Sequence, residues 1–347
     1  MKTTLKKGRQ LYDMLKEDIQ SGKYSNGDKL PAIRVLSEEY GLSKNTVNSV
    51  YALLVKEGLA TIRDGSGTYV GGTKHEPRMI GVMLMDFCQS FTVEQAILKH
   101  MQLNLPSNYY LGIVNASNSA EAFVNGVKRL HGMGAQGYII VPPTNITNPH
   151  EIAEAITLLN AKPTITISRT LINVNADTYS MNLDRGIEKA MEYLSVSGKN
   201  KTAIVLHDTD KFLLEEMEAY IRCCRVLGIT PKSEWLIDHT HDMSLLENKL
   251  KSILPDIDSI IAPDKICVNC MEILHNCGKK IPEELAVIGI NDTMISRVFY
   301  PPLTSIAYPA ERIGRHAITK LINRIEGMDT SPCKMNNYEP ELIIRNT

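Results

Sequence analysis

The chain of 347 residues is long enough for about two domains, and its 43% apolar and 22% charged residues exclude wholesale disorder and fibrous repeats. With 38 basic against 39 acidic residues the formal charge is −1, which taken whole gives no hint of a polyanionic or membrane partner. No apolar run approaches the ~18 residues that span a bilayer, no apolar segment of a secretory signal follows the basic start, and seven cysteines, an odd number, point to reduced thiols in a cytoplasm.

The average hides an asymmetry. Residues 1–72 hold 11 basic and 8 acidic residues, a net of +3, while the remainder holds 27 and 31, a net of −4. Such a split points to a nucleic-acid-binding module on an acidic body. The polar, breaker-rich stretch from Gly71 to Pro77 reads as a linker. The expected organisation is a head over 1–71, a linker over 72–78 and a body over 79–347.

In the head, Leu11, Leu15 and Ile19, with Met14 between, repeat at helical spacing, and Gly22 ends that helix. After the turn Asn26-Gly27-Asp28, Leu30-Pro31 opens a second helix carrying Ile33, Leu36 and Tyr40 to Gly41. Ser43 caps a third, running through Val47, Val50 and Leu54 to Gly58. Two short helices joined by a glycine-containing turn form a helix-turn-helix. Ala60-Thr61-Ile62 and Thr68-Tyr69-Val70, around Arg63-Asp64-Gly65-Ser66-Gly67, read as a hairpin that makes a wing. A helix that enters a major groove needs polar side chains on its first turn, and Ser43, Lys44, Asn45, Thr46 and Asn48 supply them. Arg34 is placed to reach phosphate, and Gly65 leaves the wing tip without bulk.

These segments, from Leu30-Pro31-Ala32-Ile33-Arg34 through Gly41-Leu42-Ser43-Lys44-Asn45-Thr46-Val47 to Gly65-Ser66-Gly67-Thr68-Tyr69-Val70, resemble the GntR-family winged helix over residues 5–71. The resemblance implies that Arg34, the opening of the third helix and the wing glycine contact operator DNA. This chain has Lys44 and Asn48 where the family commonly has arginine. Two candidates for bidentate guanine contacts, each worth about 1–3 kcal/mol of discrimination, are thereby removed, and the preferred operator is expected to differ from the family's usual ones.

From Met79 onward apolar runs alternate with helical segments: Ile80–Met85, Tyr110–Val114, Gly137–Val141, Thr164–Ile167, Thr202–Leu206, Ser259–Ala262 and Leu285–Ile290. The spacing predicts an α/β body of parallel sheets, whose ligands sit beyond the carboxyl ends of the strands. Asp86-Phe87, Pro142-Pro143-Thr144, Ser168-Arg169, Asp264 and Asn291-Asp292 fall at those ends. Carboxylates, an arginine, amides and an aromatic ring in one cleft suit a polyhydroxylated ligand, because each hydroxyl both donates and accepts.

The stretch from Ile281-Pro282-Glu283 through Gly289-Ile290-Asn291-Asp292 to Pro301-Pro302-Leu303-Thr304-Ser305-Ile306, with Thr166-Ile167-Ser168-Arg169 and Glu341-Leu342-Ile343-Ile344-Arg345, resembles the LacI/GalR effector domain over roughly 79–347. The resemblance implies two lobes like those of periplasmic sugar-binding proteins, one over about 79–181 plus 309–330 and the other over about 182–308 plus 331–347. It implies a ligand gripped by Arg169, Asp264 and Asn291, with Tyr308 and Phe87 as walls. An arginine frequent in that family falls at Glu216 here, so the effector need not be a familiar hexose.

Cys267-x-x-Cys270, with His275 and Cys277 nearby, has zinc-ligand chemistry, but Ile266–Leu274 reads as a buried helix and apolar packing is the better account. Nucleophile-elbow, phosphate-loop and metalloprotease motifs are absent from the sequence, and no cofactor or metal is expected. The expected protein is a cytoplasmic, homodimeric, non-enzymatic transcriptional repressor of carbohydrate genes, binding double-stranded operator DNA and relieved by a monosaccharide or a derivative. The competing expectation is a cytoplasmic sugar-binding or sugar-processing protein with an oligomerisation head.

Overall fold

A computed structural model describes the chain except for residues 1, 64, 72–76, 86–91, 117, 145, 147, 207–209 and 239–242, and except for the side chains of 2–6 and 210–215. The chain separates into two compact units, Met1–Pro77 and Arg78–Thr347.

The first unit contains α1 (Lys2–Gln20), α2 (Ile33–Tyr40), α3 (Lys44–Lys56) and the antiparallel hairpin β1 (Ala60–Arg63) and β2 (Gly67–Val70). Leu11 and Leu15 of α1, Leu36 of α2 and Val47, Val50, Tyr51 and Leu54 of α3 bury one shared apolar core. The three- and four-residue spacing in α3 turns that face inward and leaves Lys44, Asn45 and Asn48 on the opposite one. Gly41 ends α2 in the left-handed conformation at φ +58°, with its N–H on the Ser37 carbonyl.

The second unit is two six-stranded sheets with helices packed against them. In chain order the first sheet begins with β3 (Arg78–Met85), α4 (Val93–Leu103), β4 (Tyr109–Ala116), α5 (Ala120–Gly132), β5 (Gly137–Ile140), α6 (Ala153–Asn160), β6 (Thr164–Ile167) and β7 (Asp177–Met181). The second contains α7 (Leu183–Val196), β8 (Thr202–Leu206), α8 (Asp210–Val226), β9 (Leu236–Asp238), α9 (Met243–Ile253), β10 (Ser259–Pro263), α10 (Asp264–Asn276), β11 (Ala286–Asn291), α11 (Met294–Val298) and β12 (Thr304–Ala307). Then α12 (Ala310–Ile325) and β13 (Met335–Tyr338) return to the first sheet, and β14 (Glu341–Ile343) closes the second. The spatial orders are β13-β7-β6-β5-β3-β4 and β14-β12-β11-β10-β8-β9, parallel throughout except for β14 against β12.

The expected assignment of all of 331–347 to the second lobe is corrected here. β13 pairs with β7 in register from Met335↔Thr178 to Tyr338↔Met181, so this stretch belongs to the first sheet. Asp177 draws it there by accepting the Lys334 N–H at 2.9 Å while also pairing with Arg324 at 2.6 Å. The chain therefore crosses between the sheets three times, after β7, after β12 and between β13 and β14. Three short connections joining two lobes leave few backbone dihedrals that change on closure, a hinge geometry.

Close helix packing holds the first lobe. At Gly314 of α12 a Cβ would lie 2.6 Å from the Ile97 carbonyl oxygen and 3.0 Å from His100 Cβ, both on α4. Gly314→Ala is expected to destabilise by about 1–3 kcal/mol despite alanine's better helix propensity, because backbone must move to admit the methyl. Urea denaturation followed by circular dichroism measures it; unchanged or raised stability contradicts the close approach.

Candidate functional site

The surface of the first unit that suits nucleic acid is built on the exposed side of α3. Ser43 is its N-cap, accepting the Thr46 N–H at 3.2 Å with its Oγ 2.9 Å from Thr46 Oγ1. This satisfies an orphan donor and sets the direction in which the first turn projects. Lys44, Asn45 and Asn48 are exposed and Thr46 is half-buried. Arg34 on α2 is exposed and ion-paired with Glu38 one turn on, at 3.0 Å. A phosphate would compete for that guanidinium at small cost, since such exposed pairs contribute a few tenths of a kcal/mol. Gly65 sits at the wing tip at φ +69° with open space where a Cβ would be. The structure thus brings all the sequence-predicted DNA residues onto α2, α3 and the wing.

In the second unit a cleft of about 450 Å³ opens beyond the strand ends. That falls within the range of small-molecule sites. The first lobe supplies Met85, Thr144, Ser168 and Arg169, with Ser180 from β7 and Asn337 from β13, the second Ile290 and Asn291, and the crossovers Asn182 and Tyr308. Arg169 is buried and its Nη1 donates to the Pro142 carbonyl at 2.7 Å, which fixes one edge of the guanidinium. Ser168 Oγ lies 3.2 Å from Tyr308 Oη, tying the end of β6 to the crossover that leaves β12. Burial raises the Tyr308 pKa and keeps its hydroxyl protonated, able to donate and accept.

Backbone conformation marks the same cleft. Among the described residues the non-glycine positions with positive φ are Ser168 (67°), Asn173 (63°), Asn291 (106°) and Asp292 (47°), and two of the four line it. L-residues hold such conformations at a cost of order 1–3 kcal/mol, and they cluster at functional sites. Asn291→Gly is expected to raise stability by about 0.5–1 kcal/mol, glycine's freedom at this φ outweighing its unfolded-state entropy, while weakening ligand binding through the lost amide. Thermal melts with and without ligand test both halves; a glycine variant less stable than the parent contradicts the strain.

Of the sequence-predicted effector residues, Arg169, Asn291 and Tyr308 come together in the cleft. Asp86 and Phe87 lie outside the described residues. Asp264 and Glu216 are not part of the lining. Asp264 begins α10 but turns into the protein: Oδ2 accepts the Thr293 N–H at 2.6 Å and its hydroxyl at 2.9 Å, and Oδ1 accepts the Ser305 hydroxyl at 2.7 Å. Only 2% of it is exposed. It joins the β11–α11 loop to β12, and burial with both oxygens turned to these internal donors keeps it out of the cleft lining. Glu216 of α8 is fully buried. Sequence reasoning missed Ser180, Asn182 and Asn337, which reach the cleft only because the crossovers bring β7 and β13 side by side. Their signal was slight: an asparagine capping α7 and the polar pair Asn336-Asn337 inside a short strand.

Cys267 and Cys270 pack inside the core of the second lobe, with Cys267 Sγ donating to the Ala262 carbonyl at 3.3 Å. Burial pushes the Cys270 thiol up to about 12, far from the thiolate a metal needs. Among the described residues no group of three or more potential metal ligands occurs, and no helix is long and apolar enough to cross a membrane.

A winged helix-turn-helix on a two-lobed, cleft-bearing α/β unit defines the class of ligand-binding transcriptional regulators. The family of bacterial regulatory proteins called gntR matches residues 7–70, and the periplasmic binding protein-like domain matches residues 191–347. The chain joins a GntR-type helix-turn-helix domain to a periplasmic-binding-protein-like domain. The arabinose metabolism transcriptional repressor of Geobacillus stearothermophilus is 20% identical over 357 residues, spanning 99% of this chain and 98% of its own length. Among solved structures, a complex of the transcriptional regulator CelR with cellobiose is 17% identical with a TM-score of 0.66, covering 91% of this chain and 99% of that one. The lac repressor dimer bound to operator and an anti-inducer is 15% identical with a TM-score of 0.65, covering 78% and 93%. At these identities the structures share the fold.

Proposed function

We propose that the protein is a sugar-responsive, DNA-binding transcriptional repressor of carbohydrate metabolism, acting in the cytoplasm as a homodimer and carrying out no chemical step. The observation that carries this reading is the pairing, in one chain, of an exposed polar recognition helix with a cleft in which amides, hydroxyls, the carboxylates of Glu94 and Asp184 and the buried Arg169 are set among apolar side chains such as Met85, Val93 and Ile97. The repressor of arabinose metabolism that matches along the whole length supports it, as does the cellobiose held by a structural neighbour. Arg169, Asn291 and Tyr308 bind the effector, with Ser168 positioning the tyrosine. Arg34, Ser43, Lys44, Asn45, Thr46, Asn48 and Gly65 face the operator.

Closure of the lobes about the three crossovers changes how a pair of heads meets two half-sites. Effector and operator affinities are then reciprocally coupled. An electrophoretic shift with the upstream region of its own gene, repeated across a panel of pentoses, hexoses and disaccharides, tests this. The expected result is a specific complex released by one of them; a complex indifferent to the whole panel sinks the sugar-responsive reading, and absence of a complex favours the sugar-binding protein with an oligomerisation head. Lys44→Ala is expected to weaken binding and to flatten its salt dependence by about one phosphate contact.

A further inference from the structure

Helix α12 joins the cleft to the place where the chain from the head enters the second unit. It begins just after Tyr308, which lines the cleft, and runs 16 residues, about 24 Å, to its C-cap Glu326. Strand β3 spans the same two places in the opposite sense, from Arg78, the first residue of the second unit, to Met85 in the cleft lining. At the end away from the cleft the two are fastened together. Arg78 Nη1 donates to Glu326 Oε1 at 2.7 Å and to Tyr109 Oη at 3.2 Å, and that hydroxyl donates to the same Oε1 at 2.5 Å. Tyr109 opens β4 and pairs in register with Arg78, so the trio ties β3, β4 and α12.

Between its ends α12 has little room to shift. A Cβ at Gly137 of β5 would lie 3.0 Å from both Leu321 Cδ1 and Ile325 Cδ1, just as one at Gly314 would meet α4. His316 Nδ1 lies 2.6 Å from Tyr338 Oη of β13, and Arg324 pairs with the buried Asp177 of β7. α4 belongs to the same block, and its Val93, Glu94 and Ile97 line the cleft. Close-packed elements pass on a displacement rather than absorb it. The trio itself is a weak source of stability, because Arg78 and Glu326 are each 32% exposed and ion pairs so exposed add little. Its place is what matters. Arg78 is the root of the segment that leads to the head, and it stands at a strand end with one strand neighbour, since the register with β5 begins at Ile80.

We propose that Arg78, Tyr109 and Glu326 form a coupling clasp, positioning residues that make the root of the head a rigid part of the first lobe, so that effector closure at Tyr308 reaches the head through α12. None of the three lines the cleft. The clasp sets how strongly effector changes operator affinity, not how tightly either one binds. This rests on the sugar-responsive reading of the cleft.

The test uses the full-length protein and the variants Glu326→Gln, Tyr109→Phe and Arg78→Gln, with Arg78→Lys as the variant that keeps the charge. Fluorescence anisotropy with a duplex from the upstream region of its own gene gives operator affinity without sugar and with each member of a panel of pentoses, hexoses and disaccharides, L-arabinose and cellobiose among them. The ratio of the two affinities is the coupling. Glu326→Gln, Tyr109→Phe and Arg78→Gln are expected to shrink it about 2- to 30-fold, the range over which residues remote from both sites act. Thermal shifts by the same sugar, and operator affinity in its absence, are expected to stay near the parent's, and Arg78→Lys to recover part of the ratio. A merely structural role lowers the melting temperature and leaves the ratio unchanged; that result, or a parental ratio in folded variants, overturns the clasp.

Trypsin reads the root without any sugar. Cleavage after Arg78, told by mass from cleavage after Lys74, is expected to quicken about 2- to 5-fold in Glu326→Gln. An unchanged rate overturns the clasp as the anchor of the root. A parent whose operator complex ignores the whole panel overturns instead the sugar-responsive reading, and the trypsin arm still decides whether the clasp holds the root.

Discussion

Arg169→Ala should leave a protein that still binds duplex DNA and no longer responds to its effector. The guanidinium is buried, anchored through Nη1 to the Pro142 carbonyl, and part of the cleft lining. A ligand hydroxyl that meets it gains a charge-assisted hydrogen bond worth about 1.5–3 kcal/mol, so its removal costs roughly 10- to 150-fold in affinity. Thermal shift gives the readout. A sugar at 100 times its dissociation constant stabilises the parent by about 2.7 kcal/mol, and after a 100-fold loss the same concentration supplies only about 0.4 kcal/mol. Arg169→Lys should recover little, because an ammonium cannot hold Pro142 and a ligand in one plane. A variant with the parent's thermal shift would remove Arg169 from the site.

Asp264→Ala should be the most damaging single change in the second lobe, and for a structural reason. It strands the Thr293 N–H and the Thr293 and Ser305 hydroxyls, all of which the carboxylate satisfies. A buried donor left unpaired, as at Ser305, costs about 1–3 kcal/mol and the half-buried Thr293 donors less each, so a loss of about 2–4 kcal/mol is expected. Trp235, the only tryptophan, is buried in the core of the same lobe and reports the unfolding by fluorescence. The carboxylate also gives stability a pH dependence of definite sign. Burial raises its pKa in the folded protein, outweighing the hydrogen bonds from Ser305 and Thr293 that lower it. A raised folded-state pKa means that the folded protein holds this proton while the unfolded chain has released it. Its contribution to stability is therefore full below the ordinary carboxylate range and declines as pH rises through the raised value. Asp264→Asn should abolish that decline, seen as a flatter dependence of the urea midpoint on pH. An unchanged pH profile would mean that Asp264 titrates normally.

The head was legible because its information is local. A capping serine, glycines at helix ends and an apolar repeat of three and four residues are each read within one turn. The structure places α2 at Ile33–Tyr40, α3 at Lys44–Lys56 and the wing at 60–70 from those signals. The parallel body was legible for a related reason: strands buried on both faces, such as Ile80–Leu84 and Ala286–Ile290, are nearly continuous apolar runs. Short or polar strands were not. β9, with three residues, and β13, reading Met-Asn-Asn-Tyr, carry no apolar alternation and owe their existence to a partner already in place.

The amino-acid sequence by itself determined the two modules, their order, the uneven division of charge and the face of α3 that meets solvent. Which polar residues at the strand ends share a cleft was decided only by the tertiary structure. Arg169 and Asp264 look alike in sequence, each a charged residue just after an apolar strand, yet one lines the cleft and the other is consumed by a loop N–H and two hydroxyls. Likewise Lys29 looks like a turn residue until pairing with β2 sets it beside Tyr69. The physical reason is the same in both cases. A strand end fixes where a side chain starts, but the strongest unsatisfied donor, carboxylate or ring within reach decides where it points, and that neighbour comes from a distant part of the chain.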